Sequence, residues 1–231
     1  MGTSYGSIHI RSSDTEQIAE IVKNLAAQEK QKFLISPSIN GWISVYPSGL
    51  GYDSNIAATI AQQFPGHLLY LTLYDDNLFD YIYYLEHKLV DEYSSNPDYF
   101  ETVSREKKAR LRGKPEVFAD LLTELPNNQT TIEEIAKVLT VLSKEEREKI
   151  YQKNLELLQR LQARKNDVDI SKLPYDEVFQ GVGQFSGFAQ LFNIRNASTC
   201  YEYLQDEEDE EIERWEEFVH IPDPSIGELF C

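Results

Sequence analysis

Residues 66–100, GHLLYLTLYDDNLFDYIYYLEHKLVDEYSSNPDYF, hold nine of the chain's 27 aromatic residues in 35 positions, together with seven acids and one lysine. Aromatic-rich runs suit a pleated, half-buried surface, and three follow one another here, at 68–74, 78–85 and 89–93. Asp75-Asp76-Asn77 separates the first two. Ser94-Ser95-Asn96-Pro97-Asp98 closes the third, with side chains that bond to nearby backbone and a proline that fixes φ. Connections this short join antiparallel neighbours, because a parallel pair needs a crossover of about a dozen residues. The segment is therefore expected to order the sheet, and it sets carboxylates beside tyrosines.

The residues ahead of it alternate strand and helix signals. Ser7–Ser12 is β-like. Asp14 stands three residues before Gln17, a capping-box spacing, and Ile18, Ile21, Val22 and Leu25 follow as one apolar stripe of a helix. Residues 33–47 return to β character, with Asn40-Gly41 as a hairpin turn because both residues tolerate positive φ. Ser54 is the expected cap of a second helix, with Ile56, Ala57, Ile60 and Ala61 inward and Pro65-Gly66 as the stop. The order βα-ββ-α-βββ predicts an α+β fold. Its form would be a mainly antiparallel sheet with two helices on one face, a ferredoxin-like α/β sandwich with an added hairpin.

After Pro97 the pattern turns helical. Pro115 suits the first turn of a helix running to Leu125. Thr131 with Glu134, and Ser143 with Glu146, are further capping boxes, the second opening a long helix over 144–165. Val178, Phe179, Val182, Phe185, Phe188, Ala189 and Phe192 fall at helical spacing, although the glycines of GVGQFSGF each weaken a helix by about 1 kcal/mol relative to Ala. Packing against a neighbour explains those glycines better than phosphate binding. The expected division is an α/β sandwich over 1–104 and a helical region over 105–231, joined near 101–114. The helical region either packs on the sheet as one unit or stands as a second lobe.

The formal charge is −17. It is unevenly spread: residues 1–104 carry 5 bases and 13 acids, 105–165 carry 14 and 10, and 166–231 carry 3 and 16, so two acidic parts flank a basic middle. Such a balance disfavours phosphate backbones and anionic membrane, so neither nucleic acid nor membrane is an expected partner, whereas a basic protein is. No apolar run approaches the ~18 residues of a membrane span. The N-terminus lacks a basic start and apolar core, and Cys200 and Cys231 have no metal-like spacing, which together point to the cytoplasm.

No P-loop, GxGxxG, GxSxG or HExxH motif is present, and the four histidines are scattered singly, so neither cofactor nor metal is expected and an enzyme is disfavoured. Asp75, Asp76, Asp80, Asp91 and Glu92 are the notable carboxylates. Asp75, Asp76, Asp91 and Glu92 would serve a metal-assisted hydrolase if they converged on a hard cation. Hairpin register decides who meets whom. A two-residue loop at His87-Lys88 pairs Tyr84 with Asp91, and a three-residue loop at Glu86–Lys88 pairs Tyr83 with Asp91 and Tyr81 with Tyr93. Ser94, Ser95, Asn96 and Asp98 form a candidate recognition loop on a rigid sheet.

Six bases fall within Arg105–Lys114, and their natural counterpart is Asp206–Glu217, with nine acids and one arginine. Glu207, Glu208, Asp209, Glu210, Glu211, Trp215 and Phe218 are therefore the candidate interaction surface, with Val219 and Ile221 continuing an apolar hook. The expectation is a non-enzymatic, soluble, acidic protein-binding or regulatory protein, similar in class to adaptors and immunity-type proteins. The alternatives are the metal-assisted hydrolase and a small-molecule sensor whose tyrosine-rich sheet face lines a pocket.

Overall fold

The computed structural model describes residues 2–143, 180–206 and 217–223, with five further positions between 145 and 152. Strands β1 (Tyr5–Arg11), β2 (Phe33–Ile35), β3 (Trp42–Pro47), β4 (Leu68–Tyr74), β5 (Leu78–Leu85), β6 (Lys88–Ser94) and β7 (Val219–Ile221) form one sheet in the order β6-β5-β4-β1-β3-β2-β7. Every neighbouring pair is antiparallel, and the fold is α+β as the element order predicts. Helix α1 (Thr15–Glu29) carries the chain from β1 past β3 to β2 and packs towards β2 and β7, and α2 (Ser54–Gln63) carries it from β3 past β1 to β4 and packs towards β4 and β5.

Side-chain oxygens set the starts of both helices. Asp14 accepts the Gln17 N–H at 2.9 Å, as its spacing predicts. The cap of α2 is Asp53 rather than Ser54, and its Oδ1 accepts the Asn55 N–H at 2.9 Å. A carboxylate offers only acceptors and sits well against the positive end of a helix, so it displaces the hydroxyl one residue later. Asn40 and Gly41 both take positive φ, and Ile39 and Trp42 exchange both backbone hydrogen bonds across them.

Alternation along the strands separates two cores. One face buries Ile8, Ile10, Val45, Leu68 and Tyr70 beneath Ile18, Val22 and Leu25 of α1 and Ile56 and Ile60 of α2, which places the two predicted helices on one side. The other face carries Leu69, Leu71, Phe79, Tyr81, Tyr83 and Tyr93. It is covered by Phe118, by Leu121 of α4 (Ala119–Glu124), by Ile135 of α5 (Ile132–Val138), and by Phe185 and Phe188 of α6 (Gln180–Leu191). Tyr81 stacks on Tyr93 at 5.5 Å and on Phe188 at 4.9 Å. The tyrosine-rich face of β5 and β6 is thus a filled core, where deleting one ring costs about 3–5 kcal/mol, and not the pocket expected of a sensor.

The β5–β6 register is the one expected of a three-residue loop, Tyr81 opposite Tyr93 and Tyr83 opposite Asp91. The chain reaches it by another route. The turn has two residues, Glu86 and His87, both at positive φ, and the register shifts beside Tyr84, which pairs with Leu89. Val90 is left as the extra residue of a β-bulge, and one extra residue in a strand changes parity as one extra loop residue would.

Residues 101–114 fold against β6. Helix α3 (Arg105–Arg110) is capped by Ser104, the Ser94 N–H donates to the Leu111 carbonyl at 3.0 Å, and Tyr93 bridges Arg112. At the far edge β7 pairs with β2, and Phe218 stacks on Tyr46 at 6.1 Å. Helix α6 begins against the β4–β5 turn, where the Val182 N–H donates to the Asp76 carbonyl at 3.2 Å. A Cβ on Gly181 would lie 2.5 Å from the Asn77 carbonyl carbon, so this glycine serves packing, against backbone rather than a bulky side chain. Gly181→Ala should therefore lower stability by about 1–3 kcal/mol, because backbone cannot retreat as a side chain can. Gly187→Ala, whose added Cβ meets Val138 Cγ2 at an ordinary 3.5 Å, should be neutral or stabilising by up to about 1 kcal/mol. Urea unfolding of the two variants beside the parent checks the pair.

Candidate functional site

On the face shared with α1 and α2, α2 reaches Ile82 and Tyr84, towards the C-terminal end of β5. The opposite end of the strand lies beyond it. Thr72 pairs there with Asp80, Asp80 with Ser94, and Ile82 with Glu92, so strand parity sends all five side chains to this face, Thr72, Asp80 and Glu92 lying beyond the reach of α2. Tyr52 and Ser54, at the entry to α2, wall one side, and the arm from Asn96 to Leu111 walls the other. Between them lies a groove of about 630 Å³, inside the ~300–1,000 Å³ range of small-molecule sites.

Aromatic rings form its rim. Tyr74 sits 5.6 Å from Tyr52 and meets Phe100 edge-on at 4.8 Å, and Tyr99 meets Phe100 at 5.0 Å. Phe100 is 67% exposed, more than any other large hydrophobic side chain among the described residues. Together these rings make a contiguous apolar patch beside a concave surface, the kind that marks a contact site.

Asp80 stands in this groove with an unmet need. Its Oδ1 is shielded from water and accepts no hydrogen bond. Burial pushes the carboxyl up to about 6, and a hydrogen bond from Ser94 only partly opposes the shift. Glu92 differs. Arg110 Nε lies 2.7 Å from its Oε2, a charge contact without the alignment of a hydrogen bond. Arg110 is well exposed, so the pair adds little stability, but it offsets the Glu92 charge.

The four carboxylates expected to gather are not brought together. Asp75 and Asp76 stay in the β4–β5 turn at φ 51° and 59°, where their Oδ1 atoms accept the N–H groups of Gly2 and Thr3 at 3.1 and 2.9 Å. Asp91 is buried on the face opposite Glu92 and accepts the Tyr81 hydroxyl at 2.6 Å and the Lys114 N–H at 2.7 Å. Along β5 the turn and the partner of Asp91 are five residues apart, or about 17 Å at ~3.3 Å each. Among the described residues no group of three metal-ligating side chains occurs.

The other expected surfaces divide similarly. Ser94 and Ser95 are buried, and Ser95 Oγ accepts the Phe79 N–H at 2.9 Å, so that half of the loop is structural. Asn96 lines the groove. Asp98 holds the arm, accepting the Val103 N–H at 3.0 Å and pairing with Lys108. The basic run therefore answers Asp98 and Glu92 within residues 66–100. Glu207, Glu208, Asp209, Glu210, Glu211 and Trp215 lie outside the described residues. Phe218 is buried against Tyr46 instead of forming a surface, because β7 closes the sheet edge there.

Two histidines acquire partners that spacing does not show. His9 is fully buried between Ser7 and Ser44, each 2.8 Å from a ring nitrogen. The Ser7 hydroxyl donates to the Ala197 carbonyl at 3.2 Å, so it accepts from Nε2–H, and Nδ1 accepts from Ser44. Burial pulls this imidazole down to about 3. His67 lies between the Tyr83 hydroxyl at 2.5 Å and Glu124 at 3.3 Å. Neither histidine lines the groove.

No protein family, curated protein or solved structure matches the chain, so the site rests on its own geometry.

Asp80 and His9 bias stability in opposite directions. The folded state holds the Asp80 proton more tightly than the unfolded chain, so its contribution is present below the ordinary carboxyl value and is lost as pH rises through about 6. His9 contributes above the ordinary imidazole value, and that contribution is lost as pH falls towards about 3. Asp80→Asn should accordingly stabilise the protein by about 1–3 kcal/mol at pH 7.5, with the gain shrinking towards pH 4. Its acid destabilisation should be steeper than the parent's, because the His9 effect is no longer opposed. Urea midpoints measured from pH 7.5 to 4 test both parts.

Proposed function

We propose that this is a non-enzymatic ligand-binding protein that holds a small organic molecule in the groove between β4–β6 and the 96–111 arm. The observation carrying the reading is Asp80: a carboxyl with an unsatisfied oxygen, standing in a groove with aromatic walls. A few placed polar groups among aromatic side chains are what a small-molecule site needs for affinity and orientation. The donor set favours binding over catalysis. Glu92 is engaged by Arg110, which leaves Asp80 as the groove carboxylate with no cation partner among the described residues and provides no acid–base pair poised across a reacting bond.

Methyl-resolved NMR tests the reading, with phenol, indole, 2-phenylethanol and phenethylamine as probes. Ligands of this size reach only millimolar affinity, so titration extends to about 10 mM. Saturable shifts are expected at the methyls of Thr72, Ile82, Val103 and Leu111, and should be lost in the Tyr74→Ser/Phe100→Ser variant. Shifts centred elsewhere, or none with any of the four probes, overturn the proposal.

A further inference from the structure

Resting on the groove reading, the geometry points to a class of ligand: we propose that the groove takes a small organic cation with N–H donors, a primary or secondary ammonium or a guanidinium on an apolar body. Three independent features converge on that chemistry. The first is the open valence of Asp80. Its Oδ1 is buried without a hydrogen bond and no cation among the described residues pairs with the carboxylate, so an N–H-bearing cation in the groove, met by a turn of the carboxyl that presents this oxygen, supplies both missing partners at once. A neutral donor supplies one of them.

The second feature is the wall. Tyr52, Tyr70, Tyr74 and Phe100 border the same space, and the negative faces of aromatic rings attract a cation within about 6 Å of their centroids. Such contacts strengthen as water is excluded. The third is the disposition of the groove's own cations. Arg110 faces Glu92, and Lys107, which also lines the groove from α3, forms no ion pair with Asp80. An anionic ligand would meet an unpaired carboxylate, whereas a cation is drawn in by a chain of net charge −17.

The N–H donors are part of the inference. A quaternary ammonium satisfies the rings but leaves Oδ1 without a hydrogen bond. The occupant is a free small molecule because the groove's volume of about 630 Å³ matches one.

The test compares ligands that share one phenyl ring and differ in the polar end. Phenethylamine, 2-phenylethanol, 3-phenylpropionate and benzyltrimethylammonium are titrated into the full chain at pH 7.5 and about 0.15 M salt, where long-range attraction is screened. Phenethylamine should bind about tenfold more tightly than 2-phenylethanol and benzyltrimethylammonium, and 3-phenylpropionate should bind most weakly. In Asp80→Asn the preference for the amine should vanish while 2-phenylethanol keeps its affinity. Thermal unfolding confirms that this variant is folded. Glu101→Gln, which removes a groove charge without touching Asp80, should keep most of the preference.

Equal affinity for amine and alcohol, or a preference that survives Asp80→Asn, overturns the cation assignment while leaving the groove intact. Failure of all four probes removes the groove reading itself. A capped lysine tripeptide that binds more tightly than phenethylamine overturns the assignment to a free small molecule and places a protein side chain there.

Discussion

The dimension that governs this protein is the width of its sheet. A helix about 10 Å across covers roughly two strands spaced ~4.8 Å apart, so two helices cover about four strands. Among the described residues this sheet has seven. On one face α4, α5 and α6 complete the cover over β4, β5 and β6, and the residues there are Leu, Phe and Tyr. On the other, α1 and α2 end short of β5 and β6 towards Asp80, and the positions left there are the half-buried Thr72, Asp80 and Glu92, with Ser94 buried beside them. The groove is the remainder left when a hairpin widens a sheet beyond its helices, walled secondarily by the arm that returns along β6.

Asp80 and Asp91 show how strongly the face decides a carboxylate's role. Both sit on the same hairpin. Asp91 faces the filled core, accepts from Tyr81 and Lys114, and ties the 111–114 segment to the sheet. Asp80 faces the groove, retains an oxygen without a partner, and has its proton held by burial. Residue type predicts neither outcome. A buried polar atom without a hydrogen bond costs about 1–3 kcal/mol, so persistence of one such atom beside an open groove is where a functional explanation belongs.

Much of the fold was legible from spacing. The strands within 66–100, the Asn40-Gly41 turn, the Asp14 and Thr131 caps and the placement of two helices on one face all follow from local chemistry and short loops. The site was less so. Asp75 and Asp76 were candidates to join Asp91 and Glu92 around a hard cation, yet in the turn their carboxylates serve backbone hydrogen bonds. Asp80 was visible as one acid among five, and nothing nearby singled it out. The signal that finds it is parity: once Tyr81 is placed opposite Tyr93, Asp80 and Glu92 must share the other face with Thr72. That register depends on a bulge at Val90, which a count of loop residues does not reveal.

The sequence alone determined the first six strands, the turns, the antiparallel order of the hairpins and the excess of negative charge, because each depends on neighbours within a few residues or on composition, whereas β7 was read only as an apolar hook. It also placed the aromatic and acidic side chains of 66–100 together. Only the tertiary structure decided which acids are satisfied. That depends on which face is covered, and the cover comes from residues more than 100 positions away, Phe185 and Phe188 on one side, and from Tyr52 and Phe100 bordering the gap on the other. Hydrogen-bond satisfaction is set by three-dimensional neighbours, and for Asp80 the neighbour that would complete it is not among the described side chains.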